Sequence, residues 1–332
     1  MSNPLALPPG LLDATLEKDP HISSHHTRRQ YRANLRKFEA WRDGRLLTKL
    51  LVEAYQAELQ EEGLSYTTIN QKTASIRWWC RKIIDIAHEN LPAAEAEALE
   101  KQAGRVLAVR DLKGTSLQRG RHLKLSEITK LLRACADDQT LAGIRDTALF
   151  YCSWSTGKRR AELGNLTTEN IAHLETVDQE TSEITHYIEF IVRGKGDKPL
   201  KSYLFGEAHQ AMLSWLNSRG EAPGFVFCPI NKSGAPLPTS GLSGESLRRI
   251  LDKRIAQAGI QSLTWHDFRR TLAGNLLDAN DIVTVQRILG HASPITTARY
   301  DRRAEASRMK AAKNIVQPKI GPHDEDKVKV ER

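Results

Sequence analysis

The chain is poor in cysteine, methionine and aromatic residues, and it carries no long apolar run. Its four cysteines, Cys80, Cys135, Cys152 and Cys228, are scattered, with no CxxC pair and no histidine at ligand spacing around them. That spacing argues against a disulfide scaffold and a zinc site, so reduced thiols and no metal are expected. No apolar stretch approaches the roughly 20 residues that span a bilayer. The opening MSNPLALPPGLL has neither the charged start nor the long apolar segment of a secretory signal. A soluble protein of the cytoplasm, without a membrane partner, is the expectation. Aromatic residues make up only 6% of the 332 positions, and the 40% hydrophobic share leans on Leu, Ile and Ala. Packed, mostly helical cores follow from that balance. The length exceeds what one ordinary core fills, so two domains are expected.

What the chain does have is positive charge. The net charge is +9, and the basic residues fall in clusters, HHTRRQYR, RGRHLK, GKRR, SLRR and DFRR, instead of one tail. Clusters on several parts of a folded body suit a polyanion, although a solvated basic surface has the same composition.

Residues 1–20 hold four prolines and no usable periodicity and read as a flexible N-terminal arm. Residues 21–110 read as a compact unit of four helices. Tyr31, Leu35, Phe38 and Trp41 recur at three- and four-residue steps in the first of these, and Gly44 and Gly63 stop the first two. Residues 111–122, with LKGTSLQRGRHLKL around them, are glycine-rich, basic and aperiodic, which marks an interdomain linker. A second domain over 123–305 opens with a helix capped near Ser126 and continues with an apolar helix closed by Gly157. Two strands flanking GKGD predict a hairpin, and three further helices follow, from about Ser243, at TWHDFRR and at DIVTVQRILG. Residues 306–332 form a basic segment and a charged tail.

The chemistry-bearing residues stand at the ends of these elements. Arg159 lies just beyond a helix-ending glycine with Glu162 three residues on, and His266 and Arg269 share a helix face at i and i+3. Lys195 sits at a glycine-flanked hairpin tip, and His291 and Tyr300 are nine residues apart in LGHASPITTARY. Each has an ordinary explanation alone, as a surface ion pair, a cap or a half-buried amphipath. Those explanations do not account for all of them falling at element ends.

In this order, Arg-x-x-Glu-Leu in TGKRRAEL, the lysine of GKGDK, His-x-x-Arg in HDFR, and LGH followed by Tyr300 resemble the tyrosine recombinase (phage-type integrase) family. The resemblance spans 123 to about 305, and the N-terminal unit is similar to the family's core-binding domain. It implies a mainly α protein, with a helical, SAM-like core-binding domain and an α-rich catalytic domain containing a small antiparallel β-sheet, the two clamping DNA. The implied activity is site-specific strand exchange, by integration, excision or resolution, through a 3′-phosphotyrosyl intermediate without metal, cofactor or ATP. Tyr300 would be the nucleophile and Arg159 and Arg269 would grip the phosphate. His266 and His291 would donate hydrogen bonds or take the tyrosine proton, and Lys195 would protonate the leaving 5′ oxygen. The implied partners are double-stranded DNA recombination sites and a homo-tetramer on synapsed DNA, with accessory DNA-bending proteins optional. The implied setting is the cytoplasm, at the nucleoid.

The sequence departs from the family pattern in places. Arg270 stands where the family often has histidine, Lys158 where it often has an aliphatic residue, and the segment from Asn165 to Ile184 is long. The longer hairpin leaves Lys198 as a rival to Lys195. A type IB topoisomerase-like enzyme and a non-catalytic DNA-binding protein remain as alternatives.

Basic clusters in both predicted domains make a first expectation. Counterion release should give duplex binding a log–log salt slope of several units, about one per phosphate contact. Anisotropy titrations at several salt concentrations check this, and a flat dependence would reject the polyanion partner.

Overall fold

The computed structural model describes residues 9–22, 24–114, 120–193, 199–291, 293–298, 300, 301 and 313. The chain divides into two compact units, Met1–Gln118 and Arg119–Arg332. Both are mainly helical, and the second holds the sheet. No helix among the described residues is long and apolar enough to cross a membrane. All four cysteines are buried and unpaired.

The described part of the first unit consists of α1 (Pro9–Lys18), α2 (His25–Arg42), α3 (Lys49–Glu61), α4 (Tyr66–Asn90) and α5 (Ala93–Leu107). Thr48 and Ser65 cap α3 and α4, their hydroxyls accepting from the backbone N–H groups of Leu51 and Thr68. The helices bury Leu35, Phe38, Val52, Ile69, Ile76 and Trp79 in one core.

The flexible arm expected over residues 1–20 is corrected from Pro9 onward, where α1 begins. Leu12 and Leu16, one turn apart, are buried, and a proline at the first helical position costs no backbone hydrogen bond. On its polar side, Asp13 and Glu17 pair with Arg28, Arg32 and Arg36 of α2. The prolines around this short helix hide its two apolar positions from a periodicity search. Arg28, Arg32 and Arg36 are therefore answered within the unit, so fewer of the α2 arginines are unpaired than the sequence count suggests. As exposed pairs they add little stability.

The second unit comprises α6 (Leu125–Ala136), α7 (Leu141–Thr156), α8 (Arg160–Gly164), β1 (Ile171–Val177), β2 (Ile184–Arg193), β3 (Pro199–Leu204), α9 (Gly206–Arg219), α10 (Gly244–Ala258), α11 (Trp265–Ala279), α12 (Ile282–Leu289) and α13 (Pro294–Ala298). Its core gathers Leu131, Leu149, Phe150, Phe190, Trp215 and Phe268. The α6 cap is Lys124, and Ser126 and Glu127 stand in the first turn, the second of the two places the sequence allows them. The Glu127 carboxylate reaches back to accept from the Lys124 N–H at 3.0 Å, which sets the cap two residues before Ser126.

The sheet has three antiparallel strands in the order β1-β2-β3, one more than the expected hairpin. β1 pairs with β2 from Ile171 opposite Phe190 to Val177 opposite Ile184. It lies in the long segment after Asn165. Six of its seven residues are exposed, so no alternation of apolar and polar residues announces it. α9, in the helical stretch after the hairpin, buries Ala208, Met212 and Trp215.

The packing of α1 gives a direct test. Leu16→Ala should destabilise the protein by about 2–5 kcal/mol, the usual cost of emptying a filled core position. Chemical denaturation measures it, and a change near zero would restore the loose arm.

Candidate active site

Two left-handed glycines set the frame of the site. Gly157 ends α7 with φ 57° and Gly290 ends α12 with φ 66°, a conformation only glycine adopts at little cost. Space forbids a side chain there as well. A Cβ on Gly290 would lie 2.5 Å from Leu200 of β3, and one on Gly157 would lie 3.0 Å from Leu272. The Leu200 contact brings the start of β3 against the turn that carries His291. The hairpin tip at 194–198, which includes Lys195 and its rival Lys198, lies outside the described residues.

Arg269 of α11 is 2% exposed. Its guanidinium donates to the Gly157 carbonyl at 3.0 Å, the Leu289 carbonyl at 2.7 Å and His291 Nε2 at 3.2 Å. Of the five N–H groups that a guanidinium offers, three are used here, and one on each terminal nitrogen remains. Those two are left for an incoming acceptor. Burial first, and then the neighbouring Arg159, lower the Arg269 pKa to about 10, so it still carries its charge at neutral pH.

The same contacts fix the state of His291. An arginine Nε–H can only donate, so His291 Nε2 must be unprotonated and the ring proton must sit on Nδ1, donating to Thr297 Oγ1 at 2.8 Å. Burial, followed by the charges of Arg269 and Arg159, lowers the His291 pKa to about 4, in keeping with a neutral ring. Both ring nitrogens are therefore engaged. In this arrangement His291 orients Arg269 and offers no free donor of its own.

Arg159 precedes α8, and its side chain is 42% exposed. The Glu162 carboxylate, largely buried, accepts from the Arg159 backbone N–H at 2.7 Å and from its guanidinium at 2.5 Å. This ties an outward-reaching arginine to the start of its helix. Tyr300 is 9% exposed, and its ring lies nearly parallel to His291 with centroids 5.8 Å apart. Its hydroxyl meets His266 Nε2 at 2.9 Å. Burial, followed by Arg270 and Arg269, lowers the His266 pKa, which favours an imidazole able to accept a proton.

Arg159, His266, Arg269, His291 and Tyr300, spread over 142 positions of sequence, are thus brought into one site. Arg270 points its charge elsewhere, to Asp267 at 3.1 Å. Asp267 also accepts from the N–H groups of Thr264 and Arg121, fixing the start of the helix that carries His266 and Arg269. Sequence reasoning missed Thr297 and Asp267. The only signal for Asp267 was its place three residues after Thr264, the spacing of a capping pair, and nothing marked Thr297.

A model of the phage integrase family matches residues 121–307, and one of the phage integrase N-terminal SAM-like domain matches 15–81. Among curated proteins, the chain is similar to tyrosine recombinase XerC of Syntrophus aciditrophicus, at 26% identity over 333 residues, covering 92% of this chain and 96% of that one. It is also similar to tyrosine recombinase XerC of Pelobacter propionicus, at 25% identity over 295 residues, covering 86% and 87%. Among solved structures, XerH site-specific recombinase bound to a palindromic difH substrate aligns with TM-score 0.63 and 19% identity over 93% of this chain and 85% of that one. A lambda integrase tetramer bound to a Holliday junction aligns with TM-score 0.57 and 15% identity over 88% and 75%. At these identities the structural likeness is one of fold.

The buried imidazoles make stability depend on pH. Unfolded, His291 takes up a proton near its ordinary 6.5, whereas the folded ring resists until about 4. Its contribution is therefore full above about 6.5 and is lost as pH falls from there to about 4, by about 1.4 kcal/mol per unit of displacement. His266 is displaced in the same direction. The melting temperature should drop as pH is lowered through this window, and less steeply in His291→Gln. Equal slopes in the two proteins would reject the buried neutral ring.

Proposed function

Because this chain belongs to the phage integrase family, we propose that it is a site-specific DNA recombinase that cuts and rejoins strands with Tyr300 as its nucleophile. The observation that carries the mechanism is the 2.9 Å contact between the Tyr300 hydroxyl and His266 Nε2, beside the two unused donors of Arg269. A phosphodiester entering this site would be held by Arg269 from the buried side and by Arg159 from the exposed side. Charge building on its non-bridging oxygens during in-line attack then meets fixed cations that need no rearrangement.

His266 takes the phenolic proton as the Tyr300 oxygen attacks phosphorus. The new phosphorus–oxygen bond joins Tyr300 to the DNA 3′ end, and the bond to the 5′ oxygen breaks. Lys195, in the segment between β2 and β3, supplies the proton that this leaving oxygen needs. Rejoining reverses the step: a 5′ hydroxyl attacks the phosphotyrosyl bond, and Tyr300 recovers its proton. The covalent link keeps the energy of the broken bond, so no ATP is required. His291 acts through Arg269, accepting from its Nε–H and so holding the guanidinium in place.

The partners we infer are duplex DNA recombination sites and three further copies of this chain on two synapsed sites. The tetramer of lambda integrase on a Holliday junction supports this by likeness. Such work belongs in the cytoplasm, at the nucleoid. The recombinase names of the curated relatives favour strand exchange over the topoisomerase alternative.

Incubation with a nicked suicide duplex in EDTA tests the reading. The wild-type protein should become covalently attached to a DNA 3′ end in a form stable to denaturant. Tyr300→Phe keeps the ring and should bind DNA without forming the adduct. Arg269→Ala should slow attachment by about two to three decades, the scale for losing a charge-stabilising donor. An adduct that persists in Tyr300→Phe, or maps to Tyr187 or Tyr203, would overturn the mechanism.

A further inference from the structure

Between the Gly157 turn and Arg159, Lys158 is 1% exposed. Its Nζ has no hydrogen-bond partner among the described residues. Burying a charged amine without a partner is costly, and an apolar side chain of similar length at such a position is usually neutral or better for folding. Stability therefore gives no reason for a lysine here, and the surroundings do. Lys158 lines a cavity of about 580 Å³ whose walls also include Arg159, Arg160, Arg248, His266 and Arg269.

The charges around this cavity are mostly answered. Arg248 of α10 pairs with Glu245 and Asp252, Arg159 pairs with Glu162, and Arg269 rests on two carbonyls. Facing the lysine are Cys152 from α7, Glu162 and Arg159 at the start of α8, and Arg269 from α11. Burial chiefly, and then Arg269 and Arg159, lower the Lys158 pKa to about 8 against the opposing pull of Glu162. What this lysine lacks is an anion, and the cavity wall it forms adjoins the two arginines assigned to the phosphate.

We propose that Lys158 is a further phosphate-binding residue of this site, its ammonium donating to a non-bridging oxygen of the DNA phosphate held by Arg159 and Arg269. The inference rests on the recombinase reading above. The flexible four-carbon stem of a lysine allows the ammonium to follow the phosphate. With its pKa near 8 the amine is already largely protonated at neutral pH, and arrival of the negative charge holds that proton more firmly. The contact holds charge and transfers no proton, which leaves Lys195 as the source for the leaving oxygen.

The test compares the wild type, Lys158→Met and Tyr300→Phe on nicked suicide duplexes with oxygen at every position, with sulfur at either non-bridging position, or with sulfur at the bridging 5′ position. Lys158→Met should bind the duplex within about twofold of wild type, since one phosphate contact of several is lost. It should melt no lower than wild type, and it should form adduct at least about tenfold more slowly, as removal of a charge-stabilising donor does. One non-bridging sulfur diastereomer should slow the wild type and slow Lys158→Met no further, a signature that a merely structural lysine lacks. Wild-type adduct rates in Lys158→Met, or rescue of that variant by the bridging sulfur, would overturn the proposal. Lys158→Leu carries the same test if the methionine variant does not fold. Loss of adduct in Tyr300→Phe alongside a wild-type rate in Lys158→Met would sink this inference alone, whereas adduct in Tyr300→Phe would sink the recombinase mechanism.

Discussion

The constraint on which the catalytic unit depends is a permanent charge placed inside it. Arg269 is 2% exposed, and a buried guanidinium is tolerable only where protein dipoles replace its water. The carbonyls of Gly157 and Leu289 do this, and both stand at helix C-termini, of α7 and α12 respectively. That is the end of a helix whose dipole favours a cation and whose last carbonyls lack partners within the helix. Each helix must stop there for its carbonyl to be available. Each does so with a left-handed glycine, which is why Gly157 and Gly290 both end a helix and frame the site.

From that charge the state of the neighbouring groups follows. An arginine that donates to His291 forces the ring proton onto Nδ1, and Thr297 of α13 accepts it. α13 is only five residues long, yet the Thr297 carbonyl also accepts from the Tyr300 N–H at 2.9 Å. One short helix therefore positions both the histidine that steers Arg269 and the tyrosine that faces His266. His291 and Tyr300 are both tied to Thr297, and their spacing is the footprint of that link in the sequence.

Much of this is legible in the amino-acid sequence alone. The helix starts at Thr48, Ser65 and Ser243 and the stops at Gly157 and Gly290 are local events, written by a side chain that caps or a backbone that turns left-handed. The site residues are legible because they sit at those same ends. What is not legible depends on distant partners. α1 holds through two leucines and ion pairs to α2, β1 through backbone pairing to β2 with little burial of its own, and Thr297 through a ring that only the fold brings to it. The free-looking arginines of α2 mislead for the same reason: their acids lie in a segment whose prolines read as irregular.

The least legible residue is Lys158, visible in the sequence as a departure but without a meaning. A core position next to a turn calls for an aliphatic side chain, and the surrounding packing here supplies no acceptor for an ammonium among the described residues. Local consistency is the normal condition of a folded sequence, and its violations gather where function requires them. In this unit the violation is electrostatic. Lys158, Arg159 and Arg269 crowd positive charge into one pocket, while His266 and His291 are driven toward neutrality by burial and by that charge. On the proposed reading, an entering phosphate offsets the mutual repulsion of these cations, and that relief contributes to its binding. The neutral histidines follow in part from the same crowding: in the proposed mechanism, the cations that would hold the phosphate also keep His266 free to take the proton of Tyr300.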